Sequence, residues 1–168
     1  MSLPTLNNPT YELVVPSSKK KIKYRPFVVK EEKILLMALE TEDEIQIANA
    51  IKDIISTCVS TKGFDVEDLA TFDIEYLFLN IRAKSVGEVI ELILTCPDDN
   101  ETQVRVNINI DDISVEFDKN HTNQIKLSED LWVEMKYPGI DMFATSQENI
   151  DDTFTLVAKS ISKIYNSE

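Results

Sequence analysis

The stretch FDIEYLFLNIRAKSVGEVIELILTCPDDNETQVRVNINI, residues 72–110, changes its hydrophobic period midway, and that change decides the fold. From Phe72 to Ser85 the apolar residues Ile74, Leu77, Phe78 and Ile81 recur at helical spacing. Tyr76 and Leu79 make the opposite side apolar as well, so this helix is expected to be sandwiched between layers. Gly87 stops it. Beyond it EVIELILTC runs out and TQVRVNINI returns with period two, placing Val104, Val106, Ile108 and Ile110 on one face and Gln103, Arg105, Asn107 and Asn109 on the other. One face of that hairpin is expected to meet the core and the other water.

Upstream, YELVV and KIKYRPF flank the turn PSSKK and predict a first hairpin, Tyr11–Val15 with Lys21–Phe27. Two helices are predicted next. Lys30–Glu40 is made of helix formers with an acidic first turn, which complements the helix dipole. Thr41 followed by Glu44 has the spacing of a capping box for the second helix, whose stripe is Ile47, Ile51, Ile54, Ile55 and Cys58. Downstream, ISVEF, NQIKL and LWVEMKYP read as short antiparallel strands, and Asn149–Tyr165 as a last helix with Phe154, Val157, Ala158, Ile161, Ile164 and Tyr165 on one side. Strands, helices, strands and a helix without regular alternation mean α+β: an antiparallel sheet of hairpins against about four helices. The domain is expected to span residues 11–168, behind an extended leader over residues 1–10.

The chain has 168 residues, 43% hydrophobic and 28% charged, a globular composition. Its net charge of −13 argues against nucleic acid and against anionic membrane surfaces as partners. Two cysteines, with no apolar run of signal-peptide or membrane-spanning length, point to a reducing cytoplasm.

Metal and catalytic chemistry find little support. A structural zinc site needs about four ligands, and the inventory of Cys and His is Cys58, Cys96 and His121. A C-x-x-C pair beginning at Cys96 would place its second cysteine at position 99, which is Asp99. No metal or cofactor is expected. His121 lies in the turn DKNHTN, with no nucleophile motif in the chain. The acidic doublets Asp98-Asp99, Asp111-Asp112 and Asp151-Asp152 lack EF-hand spacing, and only 3 glycines are present, too few for a phosphate-cradling loop. The competing functional readings are a small cytoplasmic hydrolase using His121 or an acidic doublet, and an acidic nucleic-acid mimic that blocks a host protein.

Two features suggest binding instead. SSKKKIKYRPF gathers Lys19, Lys20, Lys21, Lys23 and Arg25 on an otherwise acidic chain; it reads either as an edge-protecting solvated turn or as a docking patch for an acidic partner or a second copy. Trp132 shares a strand face with Glu134 and Lys136, a position open to an interface anchor or to a core side chain at a sheet end.

KKIKYRPFVVKEEKILLMALE (20–40), the stretch 72–96 and MKYPGIDMF (135–143) together resemble the baseplate hub assembly proteins of T-even-like contractile-tailed bacteriophages. The blocks RPFVVKEEKILLMA and LFLNIRAKSVGE carry most of that resemblance. It implies a non-enzymatic virion morphogenesis factor, a hub subunit or assembly protein that contacts other hub proteins in the host cytoplasm or in the virion baseplate. Some members of that family carry C-P-x-C where this chain has Cys96-Pro97-Asp98-Asp99, which suggests a cousin of a zinc-knuckle corner that holds by backbone chemistry instead. Members also tend to continue into a further helical region, which the resemblance implies is missing after KIYNSE.

Overall fold

A computed structural model describes residues 8–140 and 150–166. The first hairpin forms as expected but shorter, β1 Tyr11–Val14 against β2 Lys21–Tyr24, with Tyr11 opposite Tyr24 and Leu13 opposite Ile22. Along β2 the lysines point outward while Ile22 and Tyr24 are buried. The outer edge of β2 is covered by the chain leaving the second helix: Arg25 N–H donates to the Cys58 carbonyl at 3.0 Å and Ser60 N–H to the Lys23 carbonyl at 2.9 Å.

Helix α1, Val29–Leu39, opens with Glu31 reaching back to the Val28 N–H at 2.7 Å. Helix α2, Glu44–Cys58, starts one cap later than the sequence suggests. Asp43 is its N-cap and accepts from the N–H groups of Ile45 (2.9 Å) and Gln46 (3.3 Å). Thr41 instead donates its hydroxyl to the Ala38 carbonyl at 2.6 Å, closing the end of α1. An extended carboxylate next to the first turn outcompetes a hydroxyl two residues farther away. The expected α2 stripe is in place: Ile54, Ile55 and Cys58 are fully buried, and Ile51 is partly so.

A 3-10 turn, Val66–Asp68, leads into α3, Thr71–Val86. Ile74, Leu77 and Ile81 are 1% exposed and join β1, β2 and α2 in one core; Phe78 packs against it partly buried. Gly87 ends the helix at φ 140°, a backbone conformation that L side chains rarely adopt.

Strands β3 (Val89–Thr95) and β4 (Gln103–Asn109) pair over all seven positions, yet they form a two-stranded ribbon of their own. This corrects the expectation that one face meets the core. Of the predicted inward side chains only Ile110, in the 3-10 turn Ile110–Asp112 at the ribbon's base, is buried. Leu94 and Val104 near the tip are each half exposed. The period of two was legible; that no layer among the described residues covers the ribbon was not.

The remainder is a three-stranded sheet, β5 (Gln124–Lys126), β6 (Leu131–Met135) and β7 (Ile161–Asn166), in the order β5-β6-β7. ISVEF, predicted as a strand, is not one. The last helix is corrected too: α4 spans Ile150–Ser160, and the chain then becomes β7. Position 149, the expected start, lies outside the described residues, as do 1–7 of the leader. Pairing of Ile164 with Val133 and of Tyr165 with Trp132 overrides the helical spacing of the same residues. On α4, Phe154 and Val157 are exposed instead of forming a buried stripe. The architecture is α+β; among the described residues there are four helices and three separate antiparallel sheets rather than one.

Candidate protein-docking surfaces

The basic hairpin is partly spoken for by its own surroundings. Lys21 pairs with Glu12 across the hairpin, and Lys23 reaches the same carboxylate at 3.8 Å. Glu12 is lowered from its ordinary value by that hydrogen bond and by the charge of Lys21. Lys19, in the left-handed region at φ 56°, places its ammonium 4.6 Å from the centre of the Phe117 ring. Arg25 is different from the lysines: it donates to Glu31 at 2.9 Å, with both side chains largely covered. Burial pushes the Glu31 carboxyl up, but the Val28 N–H and the Arg25 guanidinium outweigh it and the net shift is downward. Arg25 therefore fastens β2 to α1. Lys20 is exposed at the turn.

Trp132 lies half-buried on β6, on the face opposite the buried Val133. Its cross-strand neighbours are Lys126 and Tyr165, and the Lys126 ammonium sits 5.6 Å from the indole centre.

His121 stacks on Tyr137, with centroids 5.7 Å apart and planes 10° from parallel. Tyr137 meets Phe72 edge-on at 4.9 Å, and Phe72 meets Phe117 at 5.8 Å. Together with Lys19 these rings form a continuous ladder from the first hairpin, across the start of α3, to the three-stranded sheet. Sequence spacing could not find it, because the four rings come from three separate segments: the start of α3, the loop before β5 and the residues after β6. The ladder gives His121 a packing role.

At the ribbon tip Asp99 closes the turn by hydrogen bonds. Its carboxylate accepts from the Glu101 and Thr102 N–H groups, each at 3.0 Å, and from the Thr102 hydroxyl. Those bonds, the Thr102 hydroxyl first, lower its pKa to about 2. Among the described residues no group of three or more His, Cys, Asp or Glu side chains is placed to hold a metal ion. Among the same residues no helix is long and apolar enough to cross a membrane.

A groove of about 490 Å³ opens between α2 and α3, lined by Ile47, Ile51, Ile74, Phe78 and Leu79, with Glu44 and Glu75 beside them. The groove is where the apolar stripes of the two helices diverge.

Neither the curated proteins nor the solved structures contain a match to this chain. A family model does match it: the family described as T4 bacteriophage base plate protein, over residues 8–168. That span includes the hairpin, all four helices and every strand described above, and the chain belongs to this family of phage baseplate proteins.

Proposed function

We propose that the chain is a hub assembly component of the contractile-tail baseplate, acting by noncovalent contact with other hub proteins during tail morphogenesis and without catalysis. The family match over residues 8–168 carries this reading. The exposed apolar surface of α1 and of the β3–β4 ribbon supports it, since apolar area of this kind on a chain of net charge −13 suits a molecule that finishes folding its surface against a neighbour. Within the reading, Lys19, Lys20, Lys21 and Lys23 form a docking edge for an acidic hub component or a second copy, Arg25 holds that edge on α1, and Trp132 is a second anchor. Nucleic acid and membrane are not partners. The work is done in the host cytoplasm, and the protein either stays in the virion baseplate or leaves it as a chaperone.

Mass spectrometry of purified virions and of baseplates from a phage lacking this chain tests the proposal. Hubs that fail to form without it support hub assembly. Normal hubs in its absence would sink it. Stoichiometric recovery from wild-type virions would make it a subunit, and absence from them a chaperone.

A further inference from the structure

The β3–β4 ribbon has two unlike faces. On one, Glu91 and Arg105 pair across the strands at 3.0 Å among Thr95, Gln103, Asn107 and Asn109, with the exposed Val89 and Ile93 between them. On the other, every paired position is apolar: Ile90 opposite Ile108, Leu92 opposite Val106, Leu94 opposite Val104. Leu92, Leu94 and Val104 are 37%, 50% and 50% exposed, and none of the six belongs to the protein's core. From Ile90 to Leu94, strand geometry makes this face about 17 Å long and about 10 Å wide. An open apolar strip of that size on a two-stranded ribbon is normally covered.

Charge says by what. The strip ends in carboxylates on both sides: Asp98, Asp99 and Glu101 at the tip, Glu88, Asp111 and Asp112 at the base. Lys84 is shared by Glu88 and Asp111, the latter at 3.9 Å, and it fastens the base to α3. A second copy laid on the strip in either direction would set acidic ends on acidic ends. We infer that the apolar face of the β3–β4 ribbon is the docking surface for an amphipathic helix of another protein, with an apolar stretch of about 11 residues, which matches the strip at 1.5 Å per residue, between lysines or arginines at both ends. This deepens the assembly reading and rests on it. The apolar strip supplies residence time, and the acidic ends supply orientation and speed of encounter.

The probe is a synthetic amphipathic Leu/Ala helix of about 15 residues with two lysines at each end, compared with the same helix ended in glutamates. Fluorescence anisotropy should show the Lys-ended peptide binding the wild-type protein, with Leu92→Ser/Val104→Ser weakening it at least about tenfold. Neutralising the ends, with Asp98→Asn, Glu101→Gln and Asp112→Asn, changes no buried group; it should lower the affinity and flatten its salt dependence. Equal binding by the double serine variant, or by the Glu-ended peptide, overturns the inference. So does a wild-type dimer in sedimentation that the double serine variant dissociates, since the occupant would then be a second copy. A protein that hub assembly requires but that ignores the peptide loses this inference and keeps the assembly reading; one that binds the peptide while hubs form without it loses only the assembly reading.

Discussion

Ser17 gives both of its donors to one buried carboxylate: its N–H reaches Oδ1 of Asp73 at 2.9 Å, and its hydroxyl meets Oδ2. The two residues are 56 positions apart, and Asp73 has no exposed surface. The bond pair clamps the turn of the first hairpin onto the first turn of α3. Two residues earlier, Thr71 ties the same turn to the segment after β6 by donating its N–H and its hydroxyl to the Pro138 carbonyl, each at 3.0 Å. The start of α3 is thus the node where the hairpin, the helices and the sheet are joined.

Asp73→Ala should cost about 2 to 3 kcal/mol, since it strands two donors that no longer have a charged acceptor. Ser17→Ala should cost less, because it removes the hydroxyl and leaves the N–H bond intact. Urea melts measure both. Equal losses would mean that the backbone bond contributes nothing.

Glu31 should make part of the stability depend on acid pH. Its ordinary value is 4.5, and its net shift in the folded chain is downward. The unfolded chain therefore takes up the proton first as pH falls. The contribution is complete above the ordinary value and disappears as pH drops through the lower, folded one. Glu31→Gln should lower the urea midpoint at neutral pH and change it less under acid conditions. An unchanged difference between the two variants across that range would remove Glu31 from the account.

Leu77 tests the core. It is 1% exposed between α3 and the first hairpin, so Leu77→Ala should cost about 2 to 5 kcal/mol. Phe78, which lines the α2–α3 groove and is only partly buried, should cost less on truncation. A larger loss for Phe78 would mean that the groove is closed in solution.

The cysteines should behave differently from each other. Burial pushes the Cys58 thiol up to about 11, while Cys96 is half-exposed at the ribbon tip. A thiol reagent near neutral pH should label one cysteine per folded chain and two after denaturation. Metal analysis should find no stoichiometric zinc. Zinc that disappears with Cys96→Ser would overturn this.

Much of this was legible because local pattern and tertiary contact agreed. The α2 stripe predicted the burial of Ile54, Ile55 and Cys58, and Gly87 marked where α3 stops. The misreadings came where contact decided. Ile161, Ile164 and Tyr165 fit a helix, but the open edge of β6 recruited them as a strand. Val104 and Val106 fit a core face, but nothing in a period of two says whether another layer exists to cover it. The clamp of Asp73 and the ring ladder join segments far apart in the chain, and neither has a local signal.

The basic hairpin yields the last expectation, and the structure changes which lysine should test it. Replacing Lys19, Lys20 and Lys21 together by Glu would also oppose Glu12 with a new carboxylate at position 21 and remove the cation from the Phe117 ring. A loss of association could then reflect a damaged hairpin. Lys20→Glu avoids both effects, since Lys20 is exposed at the turn and its backbone bonds, including the one its carbonyl accepts from Val15 N–H at 2.9 Å, are independent of the side chain. Surface charge of this kind mainly governs encounter. Lys20→Glu should therefore leave the urea midpoint within about 0.5 kcal/mol of wild type, slow association with an acidic baseplate component severalfold at low salt, and lose most of that effect at high salt. The triple variant should show the same kinetic change together with a lower midpoint, because only it breaks the Glu12 pair. Association at the wild-type rate in both variants would make the cluster a solubility device on an exposed turn.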